Sequence, residues 1–135
     1  MSHDLDADTW MEHALRDLQA AEHMLRGAFP VHATVLAHLA TEKALKAVFR
    51  EQMGATPPVT HDLRHLARQV DVEWARDHWD AIDALSDVSI VSLYAPDQPF
   101  GHPVSDREDA ARERVANARM LVESVRKEMG ASTKE

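Results

Sequence analysis

The chain has 135 residues, 44% of them hydrophobic and 28% charged, with no cysteine and a formal net charge of −8 at pH 7. That length suits a single domain able to bury its own core, and the lack of cysteine excludes disulfides and thiolate metal sites. The acidic balance argues against broad non-specific nucleic-acid binding, which depends on Lys and Arg neutralising phosphates.

No apolar run approaches the ~20 residues that span a bilayer. Met1–Asp8 is acidic, with neither a basic start nor an apolar stretch, so it reads as a flexible segment of residues 1–8 and not as a signal peptide. A cytoplasmic location is the expectation.

A first helix is expected from Thr9, where Thr9 and Glu12 have the T-x-x-E spacing of a capping box. Met11, Leu15, Leu18, Ala21 and Leu25 fall on one face, and Gly27 is placed to end the helix in a left-handed conformation. The link to the next helix is short, which makes the two antiparallel neighbours.

The second helix runs from about Pro30 to Met53, with Gly54 as its stop. It is apolar on almost every side. Val31, Val35, Leu39 and Phe49 form one row, and Leu36, Ala40, Ala44, Ala47 and Val48 another. Such a helix lies at the centre of a bundle, and its alanines let neighbours come close. One narrow strip is polar: His38, Thr41, Glu42, Lys43 and Lys46. It reads as a short solvated edge, with Glu42 and Lys46 as a favourable acid-first pair four residues apart.

After the stiff connector G-A-T-P-P-V-T, a third helix is expected over Thr60–Val70 with Thr60 as N-cap. Its inner stripe is Leu63, Leu66, Ala67 and Val70. A fourth starts near Glu73, with Trp74, His78, Ile82, Leu85 and Val88 inward and Asp77, Asp80, Asp83 and Asp87 outward. The prolines between Ala95 and Val104 mark a loop. Ser105 and Glu108 make another capping box. The last helix then runs to about Met129, with Gly130 ending it and residues 130–135 as a flexible tail. No segment reads as a strand. The fold class is all-α, an up-and-down antiparallel bundle of about five helices over residues 9–129.

Among nine histidines, His61 and His65 are four apart, a spacing that can chelate a metal, but no third and fourth ligands or H-E-x-x-H accompany them, so no metal site is assigned. There is no glycine-rich phosphate loop, no G-x-S-x-G and no cysteine nucleophile. No cofactor is implied. The aspartate row reads as a solvated face.

Two stretches together resemble the HEPN domain family: T-E-K-A-L-K-A-V-F at Thr41–Phe49, and T-H-D-L at Thr60–Leu63 after a proline-bearing linker. D-L-Q-A-A at Asp17–Ala21, L-Y-A-P-D at Leu93–Asp97 and the Ala-rich last helix agree with it. The resemblance implies a helical bundle that dimerises. The family holds RNases of toxin–antitoxin and defence systems, nucleotide binders, and partners of small nucleotidyltransferases. Its RNases carry an Arg, four to six residues, then a His on a late helix near the dimer interface.

This chain departs from that motif. No Arg or Lys lies between Asp77 and Asp106, and Leu93 stands where the family's R-Y-P-D segment has its Arg. An Arg–x5–His match, Arg26 to His32, spans the first turn between helices, in the wrong part of the fold. The resemblance therefore implies a non-catalytic module that binds a nucleotide or RNA, or a macromolecular partner such as a nucleotidyltransferase or the other half of a toxin–antitoxin pair. Its candidate binding residues are Lys43, Lys46, His61, Arg64 and Tyr94. The alternative is a metal-independent RNase with a rearranged site, for which His102 and Arg107 are the nearest surrogates.

Overall fold

The computed structural model describes residues 5–87 and 107–132, and places five helices and no strand among them. They are α1 (Ala7–Arg26), α2 (Pro30–Met53), α3 (Leu63–Arg68), α4 (Arg76–Ser86) and α5 (Glu108–Ser132). They pack as a bundle around α2, the one helix of the five that touches all the others. The rows predicted to make α2 central are buried in large part: Ala33, Ala37, Ala40, Ala44, Leu45, Ala47 and Val48 are each at most 1% exposed. Leu36, Leu39 and Phe49 are half-buried.

The ends of α2 are as the sequence predicts. Pro30 occupies the first turn, and Gly54 at φ 63° takes the left-handed position while its N–H bonds the Arg50 carbonyl.

Several other boundaries differ from expectation, each for a local reason. α1 begins at Ala7, because Asp6 and not Thr9 caps it: the Asp6 carboxylate accepts the Thr9 N–H at 2.8 Å. That bond holds the Asp6 carboxyl below its ordinary range. At the other end Gly27 has φ −83°, and it is Ala28, at φ 64°, that adopts the left-handed conformation. α3 is shorter than Thr60–Val70. Asp62 caps it by accepting the His65 N–H, while Thr60 accepts the Asp62 N–H one step earlier. Leu63, Leu66, Ala67 and Val70 are nonetheless all buried.

α4 starts at Arg76 instead of Glu73. Trp74 stays in the connector and donates its indole N–H to the Ala67 carbonyl, and the Ala75 N–H is satisfied by the His78 ring. α5 continues through Gly130, which is not left-handed, to Ser132. Its predicted inner row, Ala111, Val115, Ala118, Val122, Val125 and Met129, is buried with Leu121 added. Val88, the proline loop and Ser105 lie outside the described residues.

The central place of α2 has a direct test. Ala44 is 1% exposed among other helices, so Ala44→Arg forces an unpaired charge into a closed contact at a cost of about 3 kcal/mol or more. Urea unfolding followed by circular dichroism is expected to show a severely destabilised or unfolded protein. A folded variant with an unshifted midpoint contradicts the packing.

Candidate functional site

The polar strip of α2 is not a solvated edge. His38, Thr41, Glu42 and Lys46 are all buried, and Lys43 alone is half-exposed. The correction has a simple cause: α1, α4 and the segment that leads into α3 cover the strip as well as the apolar rows. Thr41 meets the problem by bonding its hydroxyl back to the Ala37 carbonyl, one turn earlier. The three ionisable groups meet it by converging on one carboxylate.

Glu42 is the centre. Its Oε2 accepts from the Lys46 ammonium at 3.1 Å, and its Oε1 accepts from His61 Nδ1–H at 2.7 Å. The Lys46 ammonium also lies 5.5 Å from the centroid of the Trp10 ring of α1, within range of a cation–π contact. His61 comes from the segment just before α3 and keeps 64% of its side chain exposed, against 5% for Glu42. A buried carboxylate therefore orients a surface imidazole, with the Nε2 edge of the ring left free of that bond. The carboxylate fixes the ring tautomer as well as its direction.

His38 completes the group from one turn earlier on α2. Its Nδ1–H donates to the Leu85 carbonyl of α4 at 3.2 Å. In the neutral ring that leaves Nε2 as a bare acceptor, buried, without a hydrogen-bond partner, and 3.8 Å from Glu42 Oε1. Burial pushes His38 below the ordinary histidine range, and the Leu85 carbonyl, the Glu42 carboxylate and the His61 backbone pull the other way without prevailing.

Of the five predicted binding residues, Lys46 and His61 are thus brought together. Lys43 pairs with Asp17 of α1 at 2.7 Å. Arg64 bonds Asp83 of α4 at 2.8 Å, with Asp87 3.6 Å away, and the Asp83 bond raises its pKa. Tyr94 lies outside the described residues, as does His102. Arg107, the other catalytic surrogate, is held by Asp109 through two nitrogens, a contact that lowers the Asp109 pKa. His65 turns to Gln69 and not to His61, and no group of three metal-ligating side chains occurs among the described residues. The residues that sequence reasoning left out of the site are Glu42, His38 and Trp10. The signal for Glu42 was present: a helix apolar on nearly all sides offers no wet side on which its acid could sit.

The burial of neutral His38 makes stability depend on pH. As pH falls through about 6.5, the unfolded chain takes up the proton before the folded one does, because the folded value is the lower. The contribution of neutral His38 is therefore complete above about pH 6.5 and is lost as pH falls from there through the lowered folded value. Urea midpoints measured across this window are expected to drop on acidification in the natural protein and to drop less in His38→Gln. An identical slope in both contradicts the assignment.

The arrangement has known counterparts in fold. The chain matches the HEPN domain over residues 7–128. TT1696 from Thermus thermophilus superposes with a TM-score of 0.75 at 24% identity, over 90% of this chain and 96% of that one. ST0689, an archaeal HEPN homologue, does so with a TM-score of 0.71 at 22% identity, over 92% of this chain and 98% of that one. No curated protein matches. With the family match spanning nearly the whole bundle, from the first turn of α1 to the last turns of α5, the chain belongs to the HEPN domain family.

Proposed function

We propose that this HEPN domain is a non-catalytic binding module that works as a homodimer with a macromolecular partner or a nucleotide. A nucleotidyltransferase, as in a toxin–antitoxin-type pair, is the partner class the family suggests. The single observation that supports this reading is the state of its cations. Lys46 is held by Glu42, Lys43 by Asp17, Arg64 by Asp83, Arg107 by Asp109 and Arg112 by Glu108.

In-line cleavage of a phosphodiester builds charge on the phosphate oxygens. A metal-free site must meet that charge with Arg or Lys and must move a proton with a group such as His. The exposed pairs contribute little to stability, but a phosphate must displace a carboxylate to reach each of these cations, in a chain of net charge −8. Binding makes a smaller demand. A partner needs an oriented polar contact and a surrounding surface, and His61, exposed and aimed by Glu42, is such a contact. Ile90, Val91 and Leu93, the apolar residues proposed for the two-fold contact, lie outside the described residues.

Two measurements on one preparation test the reading. Sedimentation at high micromolar concentration is expected to show a dimer, and a monomer there removes the dimer from the proposal. Metal-free incubation with structured and single-stranded RNA is expected to leave both intact. Cleavage that copurifies with the protein and disappears on Arg107→Ala or His102→Ala overturns the non-catalytic assignment in favour of an RNase.

A further inference from the structure

The contact between His38 and Glu42 is unfinished. Neutral His38 presents a lone pair at Nε2 to a carboxylate oxygen 3.8 Å away, two acceptors facing each other inside the protein. That distance is about one ångström beyond a charge-assisted hydrogen bond. The same oxygen, Oε1, carries the bond to His61 at 2.7 Å. One proton, delivered from solvent to His38 Nε2, converts the repulsive contact into an attractive one. It also creates a buried competitor for the oxygen that holds the exposed ring of His61.

We propose that Glu42 is a proton-controlled latch: when His38 Nε2 takes up a proton, Glu42 Oε1 changes partner from His61 to His38 and releases the segment that leads into α3. The latch acts on the bond that aims His61 in the binding role argued above, and amide exchange reads it without any partner.

The surroundings allow the exchange. Among the described residues the buried polar or charged side chains are Thr34, His38, Thr41, Glu42 and Lys46, all on α2. α1 and α5 bury only apolar residues in the core, α1 adds the half-buried Trp10 beside Lys46, and α4 faces His38 with the Leu85 backbone carbonyl. The titratable groups around His38 are therefore Glu42 and Lys46 of α2 and His61 before α3; the His61 backbone favours a proton on His38, and a charge on the His61 ring opposes it. Lys46 stays on Oε2 throughout, so Glu42 keeps a cation whichever ring holds Oε1. His61 is already largely exposed, and its release leaves no buried group unpaired.

The effect is local. His61 immediately precedes Asp62, whose side chain and carbonyl accept the His65 and Leu66 amides at 3.1 Å each. Loss of the His61 bond loosens that first turn. The rest of α3 stays docked through buried Leu63, Leu66 and Ala67 and through the Trp74 bond to the Ala67 carbonyl.

Native-state amide exchange, corrected to protection factors, tests the latch in the full chain. As pH falls from about 8 through the lowered folded value of His38, protection at His65 and Leu66 is expected to fall about tenfold or more, while Leu45 in α2 and Val122 in α5 hold theirs. Imidazole nitrogen-15 shifts should show His38 Nε2 gaining its proton over the same interval. His61→Asn, a change at an exposed ring, is expected to give low protection at His65 and Leu66 that no longer depends on pH. Protection that is constant with pH in the natural chain, or a pH-dependent loss that persists in His61→Asn, overturns the proposal.

Discussion

A carboxylate in the middle of a helical bundle must find cations or donors for both oxygens, because solvent cannot reach it. Glu42 is in that position, and what it recruits ties three parts of the fold together. Lys46 satisfies one oxygen from within α2, and His61 satisfies the other from the segment that starts α3. Lys46 in turn lies against Trp10, so α1 is joined to the same group. His38, linked to α4 through the Leu85 carbonyl, sits beside the pair with one nitrogen unmatched. The apolar packing of α2 supplies most of the burial energy. The Glu42 cluster ties down the segment that leads into the short α3, while buried Leu63, Leu66 and Ala67 dock the six-residue helix itself.

The same constraint separates what the sequence revealed from what it hid. The extent of α2, its central place and its terminating Gly54 were legible because hydrophobic periodicity and glycine chemistry are local signals. The inner rows of α1, α3 and α5 were legible for the same reason. Caps were less so. Thr9 and Thr60 have capping chemistry, but Asp6 and Asp62 stand nearby with the better acceptor, and the choice depends on the path of the preceding chain. The strip His38–Thr41–Glu42–Lys46 was read as solvated because polar residues at helical spacing usually face water. Its burial is a tertiary fact. It follows from four helices surrounding a fifth, and from His61, nineteen residues beyond Glu42, folding back on it. The E-K-A-L-K-A and T-H-D-L stretches carried the family resemblance, and they are the stretches that meet at Glu42.

The fold does not decide the role of a HEPN domain. The two structures that superpose on this chain are 24% and 22% identical to it, which is a likeness of fold. The role proposed here comes from this chain's own charges. Its lysines and arginines near the cluster are tied to acids, and its exposed ring at His61 is aimed by a buried one.

The dependence of the structure on Glu42 is measured most directly by a double-mutant cycle with Lys46, read as the free energy of urea unfolding. Glu42→Gln alone leaves the Lys46 ammonium buried without its counter-charge, and is expected to cost about 3–5 kcal/mol. Lys46→Met, which keeps an unbranched chain beside Trp10, should restore most of that loss when added to Glu42→Gln, giving a coupling of about 2 kcal/mol or more. Two losses that simply add would contradict the account, since the pair would then not be the buried constraint on which the bundle depends.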